Sequence, residues 1–180
     1  MKNTILSMIA VLGLAAAAPV ARGQGYNPFQ IGASGGIAFP TGDLDTGTNT
    51  GYNIAVAVGY KPQLLPVSVR AEAAYNQFGF TNGGGSINIP AFTGNLVYEL
   101  PLGMSFTPYA IGGAGLYRVS AGFNNGVGTQ AENDFGWNIG GGIKIPLSTS
   151  FETFVEARYN SVNASGGTAS FVPLTFGIMF

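Results

Sequence analysis

The sequence has no cysteine and no histidine. The first absence excludes disulfides, thiol catalysis and a lipid-modified N-terminal cysteine. The second removes the commonest general base and the commonest metal ligand. Charge is almost as scarce. Seven Lys and Arg and eight Asp and Glu make up 8% of the 180 residues, against about 25% in ordinary soluble domains. There is no basic run, so nucleic acid is not an expected partner. Nor is there an apolar run of the roughly 20 residues that a membrane-crossing helix requires. What is abundant is glycine, 29 residues, and apolar side chains, 46% with 13 Phe, 8 Tyr and 1 Trp. So much apolar area argues against disorder. So little charge argues against a surface that faces only water.

The N-terminus has the form of a secretory signal. Lys2 supplies the charged start, Ile5 to Ala18 the apolar stretch, and Ala21 and Gly23 the small-x-small pattern before a cut after residue 23. A cut after Ala21 is the alternative, disfavoured by Pro19, and a buried N-terminal helix is the other reading of the stretch. The expected organisation is a signal peptide over 1–23 and one domain over 24–180. Losing Lys2 and Arg22 leaves five basic residues against eight acidic ones.

Beyond the signal, apolar residues alternate with polar or small ones, which is strand periodicity. Eight segments of about ten residues carry it: 29–39, 52–60, 67–78, 89–100, 105–119, 135–147, 151–160 and 171–180. That is the length of a tilted strand crossing a bilayer. The connections after the second, fourth and sixth segments are short and contain proline. Those after the odd segments are richer in Gly, Asn, Asp and Thr. Short turns at one rim and longer loops at the other predict an all-β, eight-stranded antiparallel up-and-down transmembrane β-barrel, with both ends at the short-turn rim. The competing architecture is a soluble ligand-binding barrel, which also alternates with period two.

The placement of charge separates the two. Arg70, Glu72, Glu99, Arg118, Lys144, Glu152, Glu156 and Arg158 all read as lying opposite the apolar face of their strands, four of each sign. A soluble barrel needs its charges scattered outside. Here the apolar face is continuous, with Tyr52, Tyr60, Tyr98, Phe106, Tyr117, Phe135, Trp137 and Tyr159 near strand ends as aromatic girdles. An eight-stranded barrel is just wide enough for side chains to fill it, and charges there must pair. The third and seventh strands lie opposite in a ring of eight. Arg70 and Glu72 are therefore expected to face Glu152, Glu156 and Arg158 across the lumen. Gly112, Gly136, Gly140 and Gly142 are expected to face inward and make room. The network reads as holding the barrel closed; a gated ion path is the sharper alternative.

The chain resembles the small outer-membrane β-barrel family, that of the outer-membrane protein A transmembrane domain and of outer-membrane protein X. The resemblance rests on Gly35-Gly36-Ile37-Ala38-Phe39-Pro40-Thr41-Gly42-Asp43, on the charged lumen, and on Leu174-Thr175-Phe176-Gly177-Ile178-Met179-Phe180. It implies a bacterial outer-membrane location. It also implies that Phe176, Ile178 and Phe180 form the signal read by the assembly machinery, with lipid, that machinery and periplasmic chaperones as partners.

No motif points to chemistry. Barrel enzymes of this membrane generally use His with Ser, Asp or Asn, so enzymatic activity is not expected. Glu152 and Glu156 beside Arg158 read as a structural network rather than a catalytic acid pair. Asp43-Leu44-Asp45-Thr46-Gly47-Thr48-Asn49 lacks the full ligand set of a calcium loop, so no metal and no cofactor are expected. The functional expectation is a barrel with a filled lumen that acts structurally or through its outer loops on an unknown extracellular ligand. The alternative is a small porin-like passive channel for ions or minor solutes.

Overall fold

A computed structural model describes residues 27–123, 132–148, 151–164 and 167–180. The expected signal segment, 1–23, lies outside them. Eight strands follow one another: β1 (Phe29–Gly42), β2 (Gly51–Tyr60), β3 (Val67–Gly79), β4 (Gly85–Glu99), β5 (Thr107–Phe123), β6 (Glu132–Pro146), β7 (Glu152–Ala164) and β8 (Gly167–Met179). Each pairs antiparallel with the next, and β8 pairs with β1 from Gly32↔Met179 to Gly42↔Ala169, closing the barrel. Closure leaves no exposed edge, as a strand structure in lipid requires. Beyond the ladder, the Phe180 N–H donates to Ile31 O (2.8 Å) and the Ile31 N–H to Phe180 O (3.0 Å).

All eight predicted segments become strands, but several run further at the outer rim. Residues 40–42, 85–88, 120–123, 132–134, 161–164 and 167–170 extend the ladder. These ends are mostly polar or small and bond sideways. Ser120 Oγ donates to Asn88 O (3.2 Å), and the Tyr159 hydroxyl to Ser170 Oγ (3.0 Å). Apolar alternation marks only the part of a strand with a lipid-facing side, so polar extensions above that level read as loop.

Side-chain direction follows the pleat. Ile54, Val56, Leu96, Ile139, Leu174 and Phe176 are exposed on the outside, with Tyr60, Tyr98 and Phe106 towards the short-turn rim and Tyr52, Phe135 and Trp137 towards the other. An apolar belt this continuous belongs in a bilayer. The facing assignments from alternation hold on seven strands and fail on β5. Tyr117 pairs with Asp134 and Leu116 with Phe135. This puts Tyr109, Ile111 and Tyr117 inside, where they are buried, and Leu116 outside, where it is 57% exposed. Three expectations are corrected together. Arg118 is exposed on the outer face and does not enter the lumen. Tyr117 fills the lumen rather than a girdle. Gly112, paired with outward Ile139, also faces out, while Gly113 and Gly115 face in. The cause is composition: the outward positions of β5 are mostly Ala and Gly, and its two tyrosines lie inside, where their hydroxyls find polar partners.

Candidate functional site: the filled lumen

The interior is a stack of layers. At the short-turn rim, Glu99 at the end of β4 accepts from Lys61 Nζ (2.6 Å, Oε2) and Lys144 Nζ (2.6 Å, Oε1), and Lys144 also meets Glu152 Oε1 at 2.9 Å. Lys61 had been read as part of a turn. Its only advance signal was its position two residues beyond inward-facing Gly59, on the rim that Glu99 shares. Above these four charges lies an apolar layer containing Val97, Tyr109, Ile111, Phe154 and Met179.

The middle layer is a second group of four charges. Arg158 on β7 donates to Glu72 Oε1 on β3 (2.6 Å), and Arg70 on β3 pairs with Glu156 on β7. Within each strand the contacts continue: Arg158 Nε lies 2.7 Å from Glu156 Oε1, and Arg70 Nε 3.9 Å from Glu72 Oε2. The Tyr109 hydroxyl donates to Glu156 Oε2 (2.7 Å), and the Arg70 guanidinium sits 5.7 Å from the Phe154 ring centre. All four charged residues are buried, Glu156 to 1% exposure. A buried charge without a partner costs several kcal/mol, and here each has at least two. Alternation along β3 and β7 puts them inward; the opposition of the strands brings them together.

The geometry thus divides the predicted lumenal charges. Arg70, Glu72, Glu156 and Arg158 meet in the middle. Glu99, Lys144 and Glu152 meet at the rim, so Glu152 faces Lys144 rather than β3. Arg118 joins neither group, and Lys61 supplies the fourth positive charge, so each group holds two charges of each sign. Glu152 and Glu156 are held by different cations and form no carboxylate pair.

Above the charges, Asn53 Nδ2 donates to Asn76 Oδ1 (2.7 Å), Asn76 Nδ2 to Ile89 O (3.0 Å), and the Tyr117 hydroxyl to Asn160 Oδ1 (3.0 Å). An apolar plug fills the outer end: Phe78, Ile89, Tyr117, Val162 and Phe171, roofed by Leu44 from the β1–β2 loop. The Phe78 and Phe171 rings meet edge to face, 5.5 Å apart. The loop that brings Leu44 down is tied by its own backbone, with Thr46 Oγ1 donating to Asp43 O (2.7 Å) and Thr48 Oγ1 to Leu44 O (2.6 Å). Among the described residues, no three acidic side chains gather as metal ligands. Between plug and charges remains a cavity of about 20 Å3, lined by Asn53, Glu72, Asn76, Arg158 and Asn160 among others. That is room for about one water molecule.

An eight-stranded barrel with an apolar exterior and a packed, internally paired lumen defines the class: a small transmembrane β-barrel. The sequence matches the outer membrane protein beta-barrel domain family over residues 6–180, and the chain belongs to that family. It is a protein of the bacterial outer membrane. Similar solved structures carry the same fold. Neisserial surface protein A is 15% identical, with a TM-score of 0.71 over 87% of this chain and 98% of that one. The N-terminal β-barrel domain of Pseudomonas aeruginosa OprF is 18% identical, with a TM-score of 0.54 over 87% and 100%. Ail, the attachment invasion locus protein of Yersinia pestis, is 17% identical, with a TM-score of 0.52 over 86% and 100%; it was solved in complex with the heparin analogue sucrose octasulfate. No curated protein sequence matches the chain.

Proposed function

We propose that this protein is a non-conducting outer-membrane barrel, exported by residues 1–23 and working through residues 24–180 as a structural platform that presents its outer loops. The supporting observation is the stacked lumen. Two neutral groups of four charges, an amide layer and an apolar plug lie in series, and the cavity among them holds about 20 Å3. A hydrated ion needs a continuous wet path, and packed apolar layers in series with paired charges argue against one. The role calls for no catalysis and no cofactor.

The loops favour a partner that is not a polyanion. The outer connections and the strand ends beside them carry Asp43, Asp45, Glu132 and Asp134 and no Lys or Arg other than Arg118. Assembly is assigned to Phe176, Ile178 and Phe180, which project from one side of the closing strand, Phe176 and Phe180 exposed and Ile178 half-buried. The chaperones and assembly machinery of the envelope would read that side before closure.

Planar-bilayer recording tests the reading. Silence from folded protein is the expected result, and stable open steps would overturn it in favour of a small passive channel. A second arm replaces Glu72, Glu156 and Arg158 by Ala. Appearance of conductance would identify the charges as a plug on a usable path; continued silence would leave the apolar plug as a sufficient barrier.

A further inference from the structure

The short-turn rim carries an apolar skirt that the barrel does not bury. Leu64 and Leu65, between β2 and β3, are 92% and 58% exposed; Leu102, between β4 and β5, is 59% exposed, as is Leu147 after β6. Met104 and Phe106 are exposed beside Leu102. Turns that meet water are usually built from Gly, Pro, Asn, Asp and Ser. These keep the prolines and add leucines, and apart from Lys61, which pairs with Glu99, they carry no charge. No Asp, Glu, Lys or Arg occurs in residues 62–69, 100–117 or 145–151. The charges nearest this rim, Lys61, Glu99, Lys144 and Glu152, turn inward and pair with one another. The rim is therefore polar towards the lumen and apolar outside.

We propose that these three turns are seated in the inner leaflet, so that phospholipid acyl chains cover Leu64, Leu65, Leu102 and Leu147 and anchor the short-turn end of the barrel below its last ladder pairs. Continuity with the lipid-facing belt identifies the occupant. Leu65 leads into exposed Val67 and Val69, Leu102 follows exposed Tyr98 and Leu100, and Leu147 follows exposed Ile143 and Ile145. The groove beside Leu64, lined by Pro28, Tyr60, Pro62, Gln63 and Leu65, opens onto the same surface. The turns lie on alternate hairpins around the ring, so one protein partner would have to encircle the barrel to cover them all. Lipid already does so.

The protein's one tryptophan makes the test self-calibrating. Trp137 lies on the belt near the opposite rim, so native protein in vesicles with brominated acyl chains should lose emission; that arm reports on the belt itself. In a Trp137→Phe background, Leu64→Trp and, separately, Leu147→Trp place the only tryptophan on a turn. Folding of each is checked by the heat-sensitive gel shift of unboiled protein. If the turns are lipid-seated, brominated chains quench both variants, and iodide supplied on both sides of the membrane leaves their emission largely unchanged. Iodide quenching of both without an effect of brominated chains overturns the proposal and leaves the skirt as a surface for a soluble partner. Because the native Trp137 arm is read independently, failure of the turn proposal is distinguishable from failure of the membrane reading.

Discussion

Arg158 on β7 reaches across the barrel to Glu72 on β3, Nη2 to Oε1 in 2.6 Å, while Arg70 on β3 reaches back to Glu156 on β7. The two strands are four apart in a ring of eight and share no ladder hydrogen bonds. These pairs are direct ties across the lumen, and they join residues 86 apart in the chain.

Breaking one tie should cost more than removing it whole. Glu72→Ala leaves Arg158 buried with one carboxylate where it had two, and the expected loss is about 3 kcal/mol. Replacing Glu72 and Arg158 together by Leu and Met should cost clearly less, since one charge of each sign is removed and Arg70 and Glu156 remain paired with each other. Urea unfolding in lipid vesicles measures both, and a double variant as unstable as the sum of its singles would contradict a coupled pair.

Arg118 provides the contrast. It lies outside, away from both charge groups, so Arg118→Ala should change stability by no more than about 0.5 kcal/mol, where Arg158→Ala should cost several. Equal losses in the same unfolding assay would return Arg118 to the lumen.

Two glycines on neighbouring strands test the corrected facing. A Cβ on Gly140 would come within 2.2 Å of Ala157 O and 2.7 Å of Arg158 Cγ, whereas on outward Gly112 it would meet only Asn138 O at 3.6 Å. Gly140→Ala should lower the temperature at which unboiled protein loses its shifted gel position, and Gly112→Ala should leave it nearly unchanged. The original expectation, with both glycines inward, gives similar effects for the two.

The outer plug should be structural and redundant as a barrier. Phe171 is fully buried against Phe78, so Phe171→Ala is expected to destabilise by about 3–5 kcal/mol. Bilayer recordings of the variant should stay silent, because both charge layers below remain intact. New conductance would show that the plug alone closes the lumen.

The acidic loop end makes a prediction about ligands. Folded protein in detergent should pass a heparin column at low salt without retention, because its outer loops offer no basic cluster to release counterions. Retention that salt reverses would refute the assignment of a partner that is not a polyanion.

The eight strands were legible because lipid on one side and a packed lumen on the other impose period two on every crossing segment. For the same reason the inward positions of Arg70, Glu72, Glu156 and Arg158 could be read from parity alone. Parity failed on β5, where Ala110, Gly112 and Ala114 give the lipid face almost no hydrophobic signal and Tyr109 and Tyr117 look as apolar as girdle residues. Burial of a tyrosine is decided by its hydroxyl's partner. Those partners, Glu156 and Asn160, come from β7, which does not neighbour β5.

Local chemistry along the chain thus determined the class, the strand count and the face of most residues, since each depends on what a strand meets one residue at a time. Closure decided the rest. Only once β8 meets β1 do β3 and β7 stand opposite, Lys61 come beside Glu99, and Leu44 come down over Phe171. These contacts join residues far apart in sequence, and their distances are set by the circumference and stagger of the barrel.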